Sequence, residues 1–237
     1  SYTVNFLRKY FGLDAHSKAG IILPIFHTMA LNTQFLPCLL SGGICLFMNS
    51  DEESTRSFSM ILESKANFLT LIGDILFLYD KERELRSLPA AEEVKVIQMA
   101  GGVIRKDHLL LAKKLFPNAV VYKGYGMTEV IRTAMIGSNQ PGFLDDSVGY
   151  ILPGQTVEIR DEFNNVLKPG ETGEIFIKGP NLMLGYQDED MVFDERGFLA
   201  SGDLGYLDPK GRLYFCGRTD EIFKTRGKKV SAVEIER

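Results

Sequence analysis

Residues Ser201–Lys229 have the sequence SGDLGYLDPKGRLYFCGRTDEIFKTRGKK. A turn, Asp208-Pro209-Lys210-Gly211, stands inside this stretch, since proline presets φ and glycine supplies a positive φ. After the turn, Arg212–Phe215 alternates polar and apolar side chains as a half-buried strand does. The pattern predicts a β-hairpin over Gly205–Cys216.

Asp203 and Arg218 lie on either side of this predicted hairpin. We expect strand pairing to bring the two side chains to one end of the hairpin. A carboxylate accepts two hydroxyl hydrogen bonds, and the arginine fork adds donors in a fixed geometry. The pair therefore fits a ribose 2′,3′-diol.

The composition is that of an ordinary globular chain. The 237 residues suffice for one large domain or one and a half ordinary domains, with 45% hydrophobic and 24% charged residues. The net charge of −4 weighs against nucleic acid, which usually binds a basic face.

The three cysteines have apolar neighbours and no CxxC spacing, which indicates buried free thiols in a reducing compartment, so we expect a cytoplasmic location. No secretory leader is visible at Ser1.

The uncharged segment Ala19–Ser50 predicts no transmembrane span. Pro24, Pro37 and Gly42-Gly43 interrupt it, whereas a span needs about 20 mostly apolar residues. The segment predicts a buried strand, helix and strand, and its middle could also line an apolar pocket.

Short apolar runs alternate with helical patterns in the first half of the chain. Strands are predicted at Gly20–Phe26, Ile44–Met48, Asn67–Ile72, Val94–Met99 and Ala119–Tyr122. Helices are predicted at Thr3–Phe11, Thr28–Leu40, Ser54–Ser64, Asp74–Arg86 and Lys106–Phe116. The alternation implies βαβ crossovers and a parallel sheet, in which ligands bind beyond the carboxyl ends of the strands.

From Ser138 onward Gly, Pro, Asp and Asn become frequent and the βα alternation stops. Turn residues there separate four short predicted strands, which are Val148–Ile151, Gln155–Arg160, Gly173–Lys178 and Phe198–Ala200. The fold class expected is therefore α/β, with a parallel sheet of repeated βα units followed by a small antiparallel β-barrel or sheet.

Glycine-bearing turns follow two neighbouring strands of the predicted parallel sheet. Gly101-Gly102 follows the fourth, and Gly124-Tyr125-Gly126-Met127-Thr128-Glu129 follows the fifth. Such turns permit close backbone approach to a flat ligand, and Tyr125 offers a ring for stacking on a base. Thr128 offers a hydroxyl to a phosphate oxygen or a metal-bound water, and Glu129 a hard oxygen ligand to Mg²⁺. In isolation, the Gly124–Glu129 pattern indicates a structural turn more often than a binding site.

The chain resembles the adenylate-forming superfamily of acyl-CoA synthetases, firefly-type luciferases and peptide-synthetase adenylation domains. The resemblance rests on motifs in the family's order, which are Ser201-Gly202-Asp203, Gly217-Arg218-Thr219-Asp220, Lys224, Gly227, Val230 and Glu234-Ile235-Glu236. It covers essentially all of the chain and only the middle of the family's usual length.

The resemblance implies an ATP-dependent, AMP-forming acid–thiol ligase that acts through an acyl-adenylate, in a setting such as fatty acid metabolism. ATP, Mg²⁺ and coenzyme A are the implied cofactors, and a small carboxylic acid is the implied partner. Two alternatives stay open. One is an acyl-AMP ligase that loads the phosphopantetheine of a carrier protein, and the other is a non-catalytic nucleotide- or acyl-binding fragment.

Residue roles follow from the resemblance. It implies that Gly124–Glu129 holds adenine and phosphates, with Tyr125 on the base and Glu129 on magnesium, and that Gly101-Gly102 lines the adenine and acyl pocket. Asp203 and Arg218 would hold ribose. The other expected roles are Thr128, Glu129 and Lys224 in catalysis, His27, Met29 and Val130 in the substrate pocket, and Asp220 as the hinge.

The role of His27 has an alternative. His27 is either the gate of the acyl pocket or a hydrogen-bonded core histidine. Its neighbours Thr28 and Met29 provide no aspartate for an amino group, which weighs against an amino-acid substrate. A further family signature runs from Gly173-Glu174 to Gly185-Tyr186, and we expect Glu174 to be a packing or turn acid and Gly185-Tyr186 a turn.

The resemblance implies three parts. These are a parallel α/β subdomain over 1–145, an antiparallel subdomain with the ribose motif over 146–219, and a hinge with the start of a C-terminal lid over 220–237. The family's phosphate loop and lid lysine have no counterpart in this sequence. The expectation is therefore a fragment that is inactive on its own.

Overall fold

The computed structural model describes residues 2–48, 57–143, 146–187 and 193–220, and the backbone of 222–225 and 228–231. Contacts within the chain divide it into two compact units. The first comprises residues 1–123 and 137–140, and the second comprises residues 124–136 and 141–237. The predicted three-part division stays a prediction, and the two units group residues 124–136 with the antiparallel strands.

The first unit alternates strands and helices. Its elements are α1 (Tyr2–Tyr10), β1 (Lys18–Ile21), α2 (Thr28–Ala30), a π-helix (Leu31–Phe35), α3 (Leu36–Leu40), β2 (Ile44–Phe47), α4 (Ser57–Ser64), β3 (Phe68–Leu71), α5 (Ile75–Leu85), β4 (Val96–Met99), α6 (Lys106–Leu115) and β5 (Val120–Tyr125). The strands are all parallel, in the order β2-β1-β3-β4-β5. The predicted parallel sheet is confirmed.

Two predicted bounds in this unit need correction. The first strand ends at Ile21, because the chain turns at Pro24, whose carbonyl accepts the His27 N–H at 2.9 Å. The predicted helix Thr28–Leu40 is a helical run with a π turn in its middle. Buried Gln34 in that turn donates from Nε2 to the carbonyl of Gly20 at 2.9 Å, which ties the run to the sheet.

The second unit is antiparallel. Its strands are β6 (Ala134–Gly137), β7 (Gly149–Ile151), β8 (Thr156–Arg160), β9 (Gly173–Lys178), β10 (Leu199–Leu207) and β11 (Arg212–Arg218), in the order β6-β7-β11-β10-β9-β8. A separate hairpin joins β12 (Ile222–Thr225) to β13 (Lys228–Ser231). The expected antiparallel part is confirmed, and the chain is an α/β protein.

Strand β10 is longer than expected, and β6 was not predicted. The predicted strand Phe198–Ala200 continues through the SGD motif, because a bulge between Ala200 and Leu204 keeps β10 paired with β9. Gly202 supplies the positive φ of +70° inside that bulge. The sequence of β6, AMIG, is fully buried and has no alternation that would predict a strand.

A core of apolar side chains stabilises the second unit, which carries the SGD motif. Its buried members are Tyr125, Val130, Ala134, Ile159, Ile175, Ile177, Leu199 and Leu213. Three of them come from β9 and β10, where alternate residues point inward.

The three cysteines lie within the described ranges and are free thiols, as predicted. Only Cys38 is buried, whereas Cys45 and Cys216 are partly exposed. Among the described helices, none combines the length and the apolar character needed to cross a membrane.

Candidate functional site

The hairpin of β10 and β11 brings Asp203 and Arg218 together. They are directly paired in the strand register, and Arg218 Nη1 donates to Asp203 Oδ1 at 3.3 Å. The Asp203 side chain is 8% exposed and that of Arg218 is 45% exposed, so a largely buried acid lies beside a half-exposed arginine. The juxtaposition predicted from the sequence is confirmed, while its ribose-binding role stays a prediction.

Tyr125 at the end of β5 holds the other oxygen of this carboxylate. Its hydroxyl donates to Asp203 Oδ2 at 2.5 Å, and its ring is tilted against Phe215 with centroids 6.0 Å apart. The side chain is buried, and this burial, followed by the charge of Asp203, raises the pKa of Tyr125 above its ordinary value. No sequence signal indicated this contact, since the two residues are 78 positions apart.

The backbone around Asp203 is tied down by three neighbouring groups. Glu174 Oε1 accepts the Gly202 N–H at 3.1 Å, and Ser201 Oγ accepts the Asp203 N–H at 3.1 Å. The N–H and the hydroxyl of Thr219 both donate to the Gly202 carbonyl, at 2.8 and 3.0 Å. Glu174, expected to be a packing or turn acid, thus positions the SGD motif.

The loop between β5 and β6 carries Thr128 and Glu129. Its closing hydrogen bonds are Met127 N–H to Val130 O at 3.2 Å and Thr133 N–H to Tyr125 O at 2.7 Å. Thr128 is exposed and Glu129 is half-buried, so both are placed for a ligand in solution.

Arg132 lies beneath this loop in the left-handed conformation, with φ of +60°. It is buried, and burial lowers the pKa of its guanidinium to about 10. Its Nη1 atom lies 2.1 Å from where a Cβ on Gly124 would stand, and its backbone N lies 2.5 Å from a Cβ on Gly126. Both glycines of the GYG motif are therefore required by close packing against Arg132.

In the first unit, Met29 and Gly101 are neighbours. A Cβ on Gly101 would stand 3.9 Å from Met29 Cε, and the φ of +86° at Gly101 explains the glycine. His27 is exposed, so the alternative of a core histidine is wrong. Gly102 has open space beside it, since no described atom lies within 4 Å of where its Cβ would stand.

Three further predicted site residues have different surroundings. Val130 is fully buried in the core of the second unit and forms a bridge with Leu182. Asp220 is exposed and accepts a hydrogen bond from Arg218 Nε at 3.2 Å. Lys224 lies in β12 opposite Lys229, and its side chain is outside the described part of the structure.

The described residues fit magnesium only in combination with a substrate. Within the described ranges, no group of three or more His, Cys, Asp or Glu side chains could hold a metal ion. Mg²⁺ in nucleotide enzymes takes one or two carboxylates, the substrate phosphates and water. Glu129, a half-buried residue next to exposed Thr128, would supply one such carboxylate.

The sequence matches a known family over most of its length. The family model described as AMP-binding enzyme matches residues 1–187. The chain belongs to the AMP-binding enzyme family. A Dictyostelium discoideum relative named probable 4-coumarate–CoA ligase 2 is 30% identical over 225 residues, which are 90% of this chain and 39% of the relative. A Caenorhabditis elegans relative named acyl-CoA synthetase 7 is 38% identical over 128 residues, 52% of this chain and 23% of that protein. The chain thus spans less than half the length of these curated relatives.

Several solved structures share the fold of this chain. ATP-bound MatB from Rhodopseudomonas palustris superposes with a TM-score of 0.86 at 22% identity, over 99% of this chain and 46% of MatB. The structure of VinN matches with a TM-score of 0.77 at 26% identity, over 90% of this chain and 54% of VinN. The AMP-binding enzyme fold is therefore established for this chain.

Proposed function

We propose that this AMP-binding enzyme activates a carboxylic acid with ATP and transfers the acyl group to a thiol, releasing AMP. The observation that carries the proposal is the buried Asp203 carboxylate, which Tyr125 and Arg218 hold beside solvent. Such an acceptor pair with an adjacent guanidinium fits the two hydroxyls of a ribose.

In the first step the carboxylate attacks the α-phosphate of ATP, forming an acyl-adenylate and releasing pyrophosphate. No general base is needed, because a carboxylic acid is already ionised at neutral pH. Catalysis then consists of positioning and of neutralising the phosphate charge. Magnesium would supply that neutralisation, held by Glu129, while Thr128 donates to a phosphate oxygen.

In the second step a thiol attacks the acyl carbon and AMP leaves. We propose coenzyme A as the acceptor, rather than a carrier protein, because the curated relatives carry the names of CoA ligases and acyl-CoA synthetases. Assaying coenzyme A against an acyl carrier protein separates the two acceptors. We also propose that Asp220 is the hinge and that Lys224 has a catalytic role. A cytoplasmic location is proposed as well, and the three free cysteines support it.

The acid is proposed to be apolar, either a fatty acyl or an aryl group. Met29 lies against Gly101 and exposed His27 precedes the same helical run, so this part of the first unit offers an apolar side chain next to an open backbone. The proposal does not include Val130, because its side chain is fully buried in the core of the second unit. The prediction that the 237-residue chain alone makes little acyl-adenylate is checked by pyrophosphate release.

The nucleotide proposal is tested by calorimetric titration of the wild type and of Asp203→Asn with MgATP and with AMP. Asparagine keeps the size of the side chain and one acceptor oxygen but removes the charge, and thermal unfolding checks that the variant is folded. Asp208→Asn is the matched control, because Asp208 lies at the other end of the same hairpin and pairs with Arg212 at 2.8 Å. We expect binding to weaken at least about tenfold in Asp203→Asn only. Equal nucleotide affinities in the two variants and the wild type would show that Asp203 does not bind the nucleotide.

A further inference from the structure

The segment Gly179–Tyr186 packs on the loop that carries Thr128 and Glu129. Met183 N–H donates to the Glu129 carbonyl at 2.8 Å, and Asn181 Nδ2 donates to the carbonyls of Ile131 at 2.9 Å and Arg132 at 3.2 Å. Leu182 and Met183 also pack against the apolar core of the second unit. The segment is therefore fixed to the loop by both backbone and side-chain contacts.

Tyr186 ends this segment with a contact to the predicted metal ligand. Its hydroxyl donates to Glu129 Oε1 at 2.7 Å, across 57 positions of sequence. Gly185 has φ of +145°, a conformation that side chains rarely adopt, and it turns the chain so that Tyr186 points back to the loop. Gly185-Tyr186 is thus more than the turn that the sequence indicated.

We propose that Tyr186 is the positioning residue for Glu129, holding its carboxylate in the orientation that receives magnesium bound to ATP. The inference rests on the proposed function, since it concerns the metal ligand of that site. Tyr186 donates to one oxygen of the Glu129 carboxylate, Oε1. We assign the second oxygen, Oε2, to the cation.

The physical reason is that a glutamate side chain has three rotatable bonds and is disordered by default in solution. A donor that fixes one carboxylate oxygen lowers the entropy lost when the other oxygen binds a metal. Groups that orient metal ligands typically change metal affinity by about 10–100-fold when they are removed. Tyr186 is 45% exposed, so water competes for the hydrogen bond and we expect a change of about tenfold.

Tyr186→Phe tests the inference, because it removes the hydroxyl and keeps the ring. The measurement is calorimetric affinity of the 237-residue chain for MgATP, for ATP with a chelator and for AMP. We expect affinity for MgATP to fall about tenfold, with the other two affinities unchanged. The matched control is Tyr150→Phe, a 39% exposed tyrosine on β7, which should change none of the three.

Glu129→Gln and the double variant with Tyr186→Phe separate the inference from the proposed function. If Tyr186 acts through Glu129, the double variant binds MgATP no more weakly than Glu129→Gln alone. A normal MgATP affinity in Tyr186→Phe, with magnesium dependence lost in Glu129→Gln, would refute the inference and leave the proposed function intact. An equal loss for MgATP, metal-free ATP and AMP would mean that Tyr186 is merely structural, which also overturns the inference. No MgATP binding by the folded wild type would overturn both.

Discussion

Replacing Tyr125 by phenylalanine should destabilise the chain measurably through a single missing hydroxyl. The variant removes the hydroxyl that donates to the Asp203 carboxylate at 2.5 Å, and it keeps the longer hydrogen bond from Arg218 at 3.3 Å. The Asp203 side chain is 8% exposed, so water replaces the missing donor poorly. A hydrogen bond to a charged group contributes about 1.5–3 kcal/mol, and the phenyl ring keeps its packing against Phe215. We expect the free energy of unfolding to fall by about 2 kcal/mol, which lowers Tm by about 4–8 °C in a chain of this size.

The same substitution should have a distinct pH profile. Burial raises the pKa of Tyr125 in the folded chain, whereas the unfolded side chain titrates near its ordinary value of 10.0. Below pH 10 Tyr125 is protonated in both the folded and the unfolded chain, so its titration does not change the free energy of unfolding with pH. Above pH 10 the unfolded state holds fewer protons than the folded state, so the free energy of unfolding falls by up to about 1.4 kcal/mol per pH unit. Tyr125→Phe removes this contribution, and its difference from wild type should narrow above pH 10.

Urea denaturation between pH 7 and 11 measures both effects. Tyr150→Phe is the control, because Tyr150 is 39% exposed and should change the free energy of unfolding by less than about 0.5 kcal/mol. If Tyr125→Phe is as stable as Tyr150→Phe at pH 7, the hydrogen bond to Asp203 contributes nothing and the account of the buried carboxylate is wrong. A difference that stays constant up to pH 11 would refute the account of the raised pKa.

Three further substitutions test close packing at two glycines and a buried ion pair. Gly124→Ala should lower the free energy of unfolding by about 2–3 kcal/mol, because its methyl group would stand 2.1 Å from Arg132 Nη1. The control Gly102→Ala, with no described atom within 4 Å of its methyl group, should change the free energy of unfolding by less than about 0.5 kcal/mol. Thermal unfolding compares the two variants, and equal stabilities would contradict the close packing at Gly124. Arg160→Met should lower the free energy of unfolding by about 3 kcal/mol, since the buried guanidinium pairs with Glu158 and with Asp194, both at 2.7 Å. A variant as stable as wild type in urea would show that these ion pairs contribute nothing.

Local signals account for what the sequence predicted well. The Asp-Pro-Lys-Gly turn and the alternation after it are contained within a few residues, so the hairpin that pairs Asp203 with Arg218 followed from them. The βα alternation likewise depends on periodicity within each segment, which is why the order of strands and helices was predicted while the end of β1 was not.

Contacts between distant segments were beyond the sequence patterns. The hydrogen bond from Tyr125 to Asp203 depends on how Tyr125 and β10 pack within the second unit, and that from Tyr186 to Glu129 depends on the path of Gly179–Tyr186. Strand β6 was missed because its four residues are all buried and show no alternation. Each of these features is decided by tertiary packing, which overrides local preference.

The most direct test of the central claim compares AMP with its 2′,3′-dideoxy analogue in calorimetric titrations of the 237-residue chain. The two ligands share base and phosphate, so their difference reports only the hydroxyls that Asp203 and Arg218 are proposed to hold. Loss of two hydrogen bonds to charged groups predicts affinity for the analogue at least about 100-fold weaker. Equal affinities for AMP and the dideoxy analogue would contradict the assignment of Asp203 and Arg218 to ribose.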